Sequence, residues 1–395
     1  MFETLAPYQG EVCSSLTAQI REGKLSQSNL FGGPRYSLRM STALELARVL
    51  CCPNHNSDAC RCDSCMAFRS LSVDNVIIAS QRDHKSVIET SLSNFERLRT
   101  DFSKNFLIRA TRICLMQYHA ALLASATSTQ NAVYDSASAV DELLRALEKR
   151  KTAIDGKEAK KIASDLRQAM KSLYGNEKKD TSISIAQIRA IDDWTRQTSA
   201  KEEKRFVIIE NVEDANVSAR NSLLKILEEP PEDVYFFLLS EHPARILPTI
   251  LSRVRKFSFV PLSPSQVNSL LSDFFLPSPV SDFESFFLQG SGLDIIGTRQ
   301  LALRVFTSIT THTYLSKEYD DALLALELPS SVRYFLEQLM SLIEQAFLQQ
   351  KINTNYAKRL SGLISSSFSQ ACLYNQNSKL LLQTLYLRLM EERIE

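Results

Sequence analysis

The chain has 395 residues, with 46 Lys plus Arg against 45 Asp plus Glu and a formal net charge of +1. That length suits two or three domains, and a balance so close to zero excludes a protein coated in nucleic acid, though not one with a local basic face. No run of 18 apolar residues occurs, which excludes a helical membrane span.

The opening segment, MFETLAPYQGEVC, lacks the basic and apolar regions of a signal peptide, so the expectation is a soluble cytoplasmic protein. Val12, Leu16 and Ile20 predict a helix over 11–24. A short strand, Ser28 to Phe31, leads into the Gly32-Gly33-Pro34 turn, and a helix follows from about Ser41 to Leu50. Asn75 to Ala79 is a continuous apolar strand of the kind found inside a parallel sheet. Strands at Phe206–Ile209 and Val234–Leu239 complete an alternation of strand and helix, which indicates an α/β sheet with crossovers.

Between about 84 and 179 the pattern turns helical. Phe95, Phe102, Phe106 and Ile113 recur at helical spacing, as do Leu143, Leu144 and Leu147, then Ile162, Leu166, Ala169 and Leu173. Residues 145–179 hold eleven Lys or Arg against five Asp or Glu, a net of +6. Such a stretch suits either a solvated helix face or contact with a phosphate backbone, and aromatic interleaving of the kind that stacks bases is missing. SISIAQIRAI at 182–191 predicts a short strand and then an amphipathic helix carrying Trp194. From Pro261 onward only helices are expected, the first begun by Ser263-Pro264, another near 290–303, and three or four more over 317–395.

Five of the eight cysteines crowd into CCPNHNSDACRCDSC at 51–65, with His55 between them. Tetrahedral zinc takes four thiolate or imidazole ligands, two of them from a tight knuckle, and Cys62-x₂-Cys65 is such a knuckle. Cys52, Cys60, Cys62 and Cys65 are the favoured ligands, Cys51 is a spare, and reduced unliganded thiols are the alternative. Four closed ligands make such a metal structural. Cys13, Cys114 and Cys372 stand alone and are expected to be inert.

The stretch LFGGPRYSLRMSTA at 30–43 has the position of a phosphate-binding loop without its chemistry. A working loop, GxxxxGK[ST], needs glycines for close backbone approach, Lys for the β/γ-phosphates and a hydroxyl for Mg²⁺. Gly33 can serve as the first glycine, but Leu38, Arg39 and Met40 occupy the remaining positions. Leu38 brings a Cβ where a positive φ is needed, and Arg39 keeps the charge on a bulkier planar head. The strand ending in Glu210 is followed by Asn211, where an ATPase of this type carries Asp-Glu, so a carboxylate survives and the water-orienting base is lost. ATP hydrolysis is not expected at a site built from Gly33, Arg39 and Glu210.

The run NSLLKILEEPP at 221–231 resembles the NALLKxLEEPP signature of bacterial DNA polymerase III clamp-loader subunits. The following Phe237-Leu238-Leu239-Ser240, His242-Pro243 and Leu247 to Arg253 resemble their sensor strand and Ser-Arg-Cys motif, with Val254 in place of the usual cysteine. The resemblance is specific over about 180–260, good over 1–80, compatible over 260–395, and does not reach the 84–179 insertion. The loop's departures resemble the delta-prime type rather than the gamma/tau motor type.

The resemblance implies an AAA+ module over 1–260, an α/β domain carrying the zinc module at about 51–65 and the helical insertion. A helical lid over 261–305 and a helical collar over 306–395 would follow. It implies a ring of five subunits with gamma/tau and delta, loading a sliding clamp onto primer-template DNA, with Arg253 as an arginine finger toward a neighbour's ATP. Ser240 falls at the family's sensor position and, with no hydrolysis expected, is read as structural; Glu228-Glu229-Pro230-Pro231 is expected to end a helix and fix a turn, since adjacent carboxylates on a helix point about 100° apart. Two other readings carry different expectations: an ATP-hydrolysing motor subunit with a divergent loop, which must bind ATP–Mg²⁺, and a zinc-dependent DNA-binding protein on the same fold, which must bind duplex selectively.

Overall fold

A computed structural model describes the chain except residues 55–56, 81–83, 124–127, 151, 175–182, 198–203, 275–281, 291, 327–329, 375–376 and 393–395. It divides into two compact units, Met1–Phe283 and Glu284–Glu395.

The first unit begins with α1 (Gly10–Arg21), β1 (Ser28–Gly32), α2 (Arg39–Cys51), α3 (Asp63–Ser70) and β2 (Val76–Ala79). The insertion contributes α4 (Lys85–Leu98), α5 (Asp101–Leu115), α6 (Ala120–Leu123), α7 (Ser128–Lys149) and α8 (Gly156–Tyr174). The unit continues through α9 (Ile185–Arg196), β3 (Arg205–Glu210), α10 (Val217–Glu228), β4 (Val234–Ser240), α11 (Pro248–Leu251), β5 (Arg255–Ser258) and α12 (Pro264–Phe274).

The strands form one parallel sheet in the order β2-β3-β4-β1-β5. Parallel pairing requires helical crossovers that cover both faces, and this is why β2, β3 and β4 are almost uninterrupted apolar runs and why β1, though it holds Ser28 and Asn29, is buried throughout. One face packs Phe31, Leu44, Phe206, Ile208 and Phe237 against α1 and α2; the other packs Leu30, Val207, Leu223, Ile226 and Leu238 against α9 and α10. Phe31, Phe237 and Phe206 form a row of stacked rings across the strands.

The helical insertion is as expected. Ile88, Leu92, Phe95, Leu107, Val140, Leu144, Leu166 and Met170 make a core of its own from α4, α5, α7 and α8. Phe95 and Phe102 belong to different helices, separated by a capping box between Thr100 and Ser103, and Phe102 is exposed. Buried Arg112 ties the bundle to α3, bonding Asp141, Glu148 and the Ser70 carbonyl.

The strand expected at the start of 182–191 is not formed. Ser182 lies outside the described residues, and Ile183 and Ser184 are not strand. Ser184 instead caps α9, its side chain accepting from Gln187 N while Gln187 answers at the Ser184 N–H, so helix begins where pairing would have. The edge strand β5 carries little sequence signal, since only Phe257 of its four residues is buried.

Around the second unit run α13 (Phe283–Gly290), α14 (Ile295–Thr311), α15 (Lys317–Leu324), α16 (Ser330–Leu348), α17 (Thr354–Tyr374) and α18 (Ser378–Glu391). Its core is built on Leu339, Ile343, Tyr356, Leu360, Leu382 and Leu385. Residue 305 falls inside α14. No helix among the described residues is long and apolar enough to cross a membrane.

Candidate functional site

In a parallel sheet the chemistry gathers beyond the carboxyl ends of the strands. Here that edge brings together the turn after β1, the start of α2, Glu210 at the end of β3, and Ser240 at the end of β4. Gly33 donates its N–H to the Ser240 carbonyl at 3.1 Å. A Cβ at Gly33 would stand 2.5 Å from the Phe259 carbonyl oxygen, so the glycine is required for close packing in this turn.

Leu38 precedes α2 with φ 68°, the left-handed conformation expected to strain it, and its side chain gives α2 no cap bond. Arg39 is only 8% exposed and forms an ion pair with Glu241 at 3.4 Å. Met40 turns into the core beside Phe31 and Leu44. Glu210 is 5% exposed and accepts a 2.5 Å hydrogen bond from Ser80 Oγ at the end of β2. Asn211, in the place of a catalytic base, takes φ 50°. Gly33, Arg39 and Glu210 thus lie on one edge of the sheet, each engaged by the chain itself. Ser240 is fully buried, and its hydroxyl accepts from the His242 N–H, in keeping with a structural role.

Arg253 lies elsewhere. It precedes β5, whose first residue pairs with Asn29 near the start of β1, so it belongs to the amino edge of the sheet. The five residues of β1 separate that edge from the Gly33 turn by about 15 Å. Arg253 lines an open cleft of about 520 Å³ with Gln19, Lys24, Ser26 and Arg255. Its Nε donates to Glu228 Oε1 at 2.9 Å and its Nη1 to the Thr249 carbonyl at 2.6 Å, with its side chain 30% exposed. Sequence reasoning assigned Glu228 to the turn alone; α10 does end there, but its carboxylate also holds the arginine. Val254 is buried, as a packing replacement for cysteine would be.

The cysteine cluster closes into one centre. The sulfurs of Cys52, Cys60, Cys62 and Cys65 all lie within 4.8 Å of one another and could hold a metal ion. Cys52 leaves the end of α2, and Cys62 caps α3, with its sulfur accepting from the Cys65 N–H. The Cys52–Cys60 and Cys52–Cys62 separations are 3.7 and 4.0 Å, close to the roughly 3.8 Å edge of a tetrahedron with 2.3 Å zinc–sulfur bonds. Burial pushes the Cys65 thiol up to about 12, while a backbone hydrogen bond from Cys62 draws Cys60 down to about 6. A bound cation deprotonates such thiols outright, so the donor set fits zinc. Cys51 is outside the quartet and accepts from Asn75 Nδ2 at 3.8 Å; His55 lies outside the described residues. Cys13 and Cys114 are buried.

One supporting residue was not anticipated. Buried Arg48 donates to Cys65 Sγ at 2.8 Å, and its other donors engage Glu45 and face Asp58. Its position one turn before Cys52 on α2 was the available signal. Partners behind metal ligands typically carry 10–100-fold in metal affinity. Arg48→Met is therefore expected to weaken zinc binding by about that factor in a chelator-competition titration, and Arg48→Lys by less.

A parallel α/β sheet with a glycine turn and a helix start at its carboxyl edge, followed by a unit whose described residues are helical, defines an α/β-plus-helical class of protein. Within that class, the model of the DNA polymerase III, delta subunit family matches residues 8–129 and 117–263, and the chain belongs to this family. The delta' subunit of Bacillus subtilis (strain 168) is 39% identical over 90 residues, 23% of this chain and 27% of that one. The delta' subunit of Pseudomonas aeruginosa PAO1 is 40% identical over 77 residues, 20% and 24% respectively. The chain thus spans about a quarter of the length of these curated relatives. A DNA polymerase III gamma subunit-related protein from Thermotoga maritima MSB8 is 20% identical, with 64% of this chain and 99% of that one covered and a TM-score of 0.30.

Proposed function

We propose that this chain is the delta-prime subunit of a cytoplasmic clamp loader, without catalysis of its own, that supplies Arg253 in trans to ATP on a neighbouring gamma/tau subunit. The observation that carries this reading is the position of Arg253: it lies partly exposed in an open cleft at the sheet edge opposite the chain's own loop, which supports a role toward another molecule rather than toward that loop. The loop supports it too, because Arg39 is spent on Glu241 and the positions for a phosphate lysine and a Mg²⁺ hydroxyl hold Arg39 and Met40. In this reading delta joins the five-membered ring, residues 306–395 form the collar and 261–305 the lid, and the assembly opens a sliding clamp for primer-template DNA.

Cys52, Cys60, Cys62 and Cys65 would hold a zinc ion that joins α2 to α3. The closed ligand set leaves no position for water or substrate, so the ion supplies structure and no chemistry.

The test is a nucleotide titration of the lone chain beside a reconstitution with a motor subunit and delta. The expected result is no saturable ATP–Mg²⁺ binding by the lone chain and incorporation into a ring that hydrolyses ATP on primed DNA with clamp. ATP–Mg²⁺ binding by the lone chain with turnover of its own would replace this reading with that of a motor subunit.

A further inference from the structure

The helical insertion holds a second charged feature that the clamp-loader reading does not use. Where α4 ends and α8 begins, an open cleft of about 710 Å³ is lined by Glu96, Arg97, Arg99, Asp155, Gly156, Lys157 and Lys160. The two carboxylates are already engaged. Glu96 accepts from Arg167 Nη1 at 2.5 Å, and Asp155 caps α8 by accepting from the Glu158 N–H at 2.8 Å. The four cations are exposed, and among the described residues none of them has a carboxylate within ion-pair distance. Arg99 ends α4 with φ 52°, and its guanidinium lies so close to the start of α8 that a Cβ on Gly156 would be 3.0 Å from Nη1. Two helix ends distant in sequence therefore present their positive charge to one space.

The lining also selects the kind of partner. It contains no apolar or aromatic side chain, whereas a protein interface carries an apolar, aromatic-rich core. Without aromatic rings there is nothing on which splayed bases would stack, which disfavours single strands. Binding to the phosphates of a duplex needs neither feature, because released counterions supply the affinity. We infer that the Arg97, Arg99, Lys157 and Lys160 cleft binds the sugar–phosphate backbone of duplex DNA without reading its sequence. This inference stands on the cleft's own charge and does not depend on the role of Arg253.

The test uses the full chain alone and a labelled 30-base-pair duplex, followed by fluorescence anisotropy across a salt series. The variant is Arg99→Gln, Lys157→Gln, Lys160→Gln. A charge-matched control carries Lys351→Gln, Lys358→Gln and Lys379→Gln, exposed positions in the second unit. Each phosphate contact contributes about 0.9 to the slope of log K against log salt. The cleft variant should therefore lose about tenfold or more in affinity at low salt and about 2–3 in slope, with the control unchanged. Equal binding by the cleft variant and the parent chain would overturn the inference, as would no binding by the parent chain. Poly-glutamate competing as well as unlabelled duplex at equal charge would overturn it in favour of an acidic protein. Melting curves of both variants that match the parent's are required for the comparison, since all six positions are exposed.

Discussion

Arg253→Ala should leave the reconstituted ring assembled and reduce ATP turnover at the neighbouring site by about 10³–10⁵-fold, the range known for arginines supplied to a transferring phosphoryl group. At 1.36 kcal/mol per decade this corresponds to about 4–7 kcal/mol of transition-state stabilisation. The contacts that hold Arg253 in the lone chain are far weaker. The Glu228 pair is partly exposed on both sides, and such surface pairs contribute about 0.2–1 kcal/mol. Releasing the arginine toward a neighbour is thus cheap relative to what it supplies there. Arg253→Lys should recover little, since a lysine has one compact charge and no planar fork. Glu228→Gln should change turnover only a few-fold if Glu228 merely orients the side chain. The measurement is single-site turnover with primed DNA and clamp, with ring assembly followed by size exclusion. Unchanged turnover in an intact ring carrying Arg253→Ala would remove the trans role.

The second large effect is expected at the cysteine centre. Purified protein should carry about one zinc per chain, and Cys65→Ser should reduce this to near zero, whereas Cys51→Ser should leave it unchanged because that sulfur lies outside the quartet. Cys65 is fully buried, and Arg48 donates to its sulfur. Loss of the metal therefore leaves a buried guanidinium facing a neutral donor. Structural zinc sites contribute folding energy directly, and loss of several kcal/mol should lower the melting temperature by about 10 °C. Metal analysis and thermal melting of the three proteins decide it. Zinc retained by Cys65→Ser, or lost equally by Cys51→Ser, would disprove this ligand set.

Much of this was visible in the sequence because the sheet is parallel and buried. Apolar runs at 76–79, 206–209 and 234–239 have few other uses, and all three are strands; Ser28 to Phe31, half polar, is placed as a strand by the glycine turn that follows it and is one too. β5 escaped because an edge strand with one buried residue has no such signature. The strand expected near 183 failed because a local cap outcompeted pairing. At the site, the positive φ of Leu38 and the gathering of Cys52, Cys60, Cys62 and Cys65 followed from local rules of backbone and spacing. The Arg39–Glu241 and Arg253–Glu228 pairs join residues far apart in the chain, which local rules do not reach. The cleft of Arg99 and Lys157 was half legible. The charge excess of 145–179 was plain, but the α4 arginines that complete it come from outside that stretch.

The Arg39–Glu241 pair has a consequence for phosphate binding. Arg39 and Glu241 cancel one another's charge, so the turn after β1 presents no net cation to a polyphosphate that approaches it. Placing lysine and threonine at 39 and 40 would still leave Glu241 and the side chain of Leu38 in the way. Two substitutions would therefore not by themselves give this turn the open backbone and the free charge that a phosphate needs.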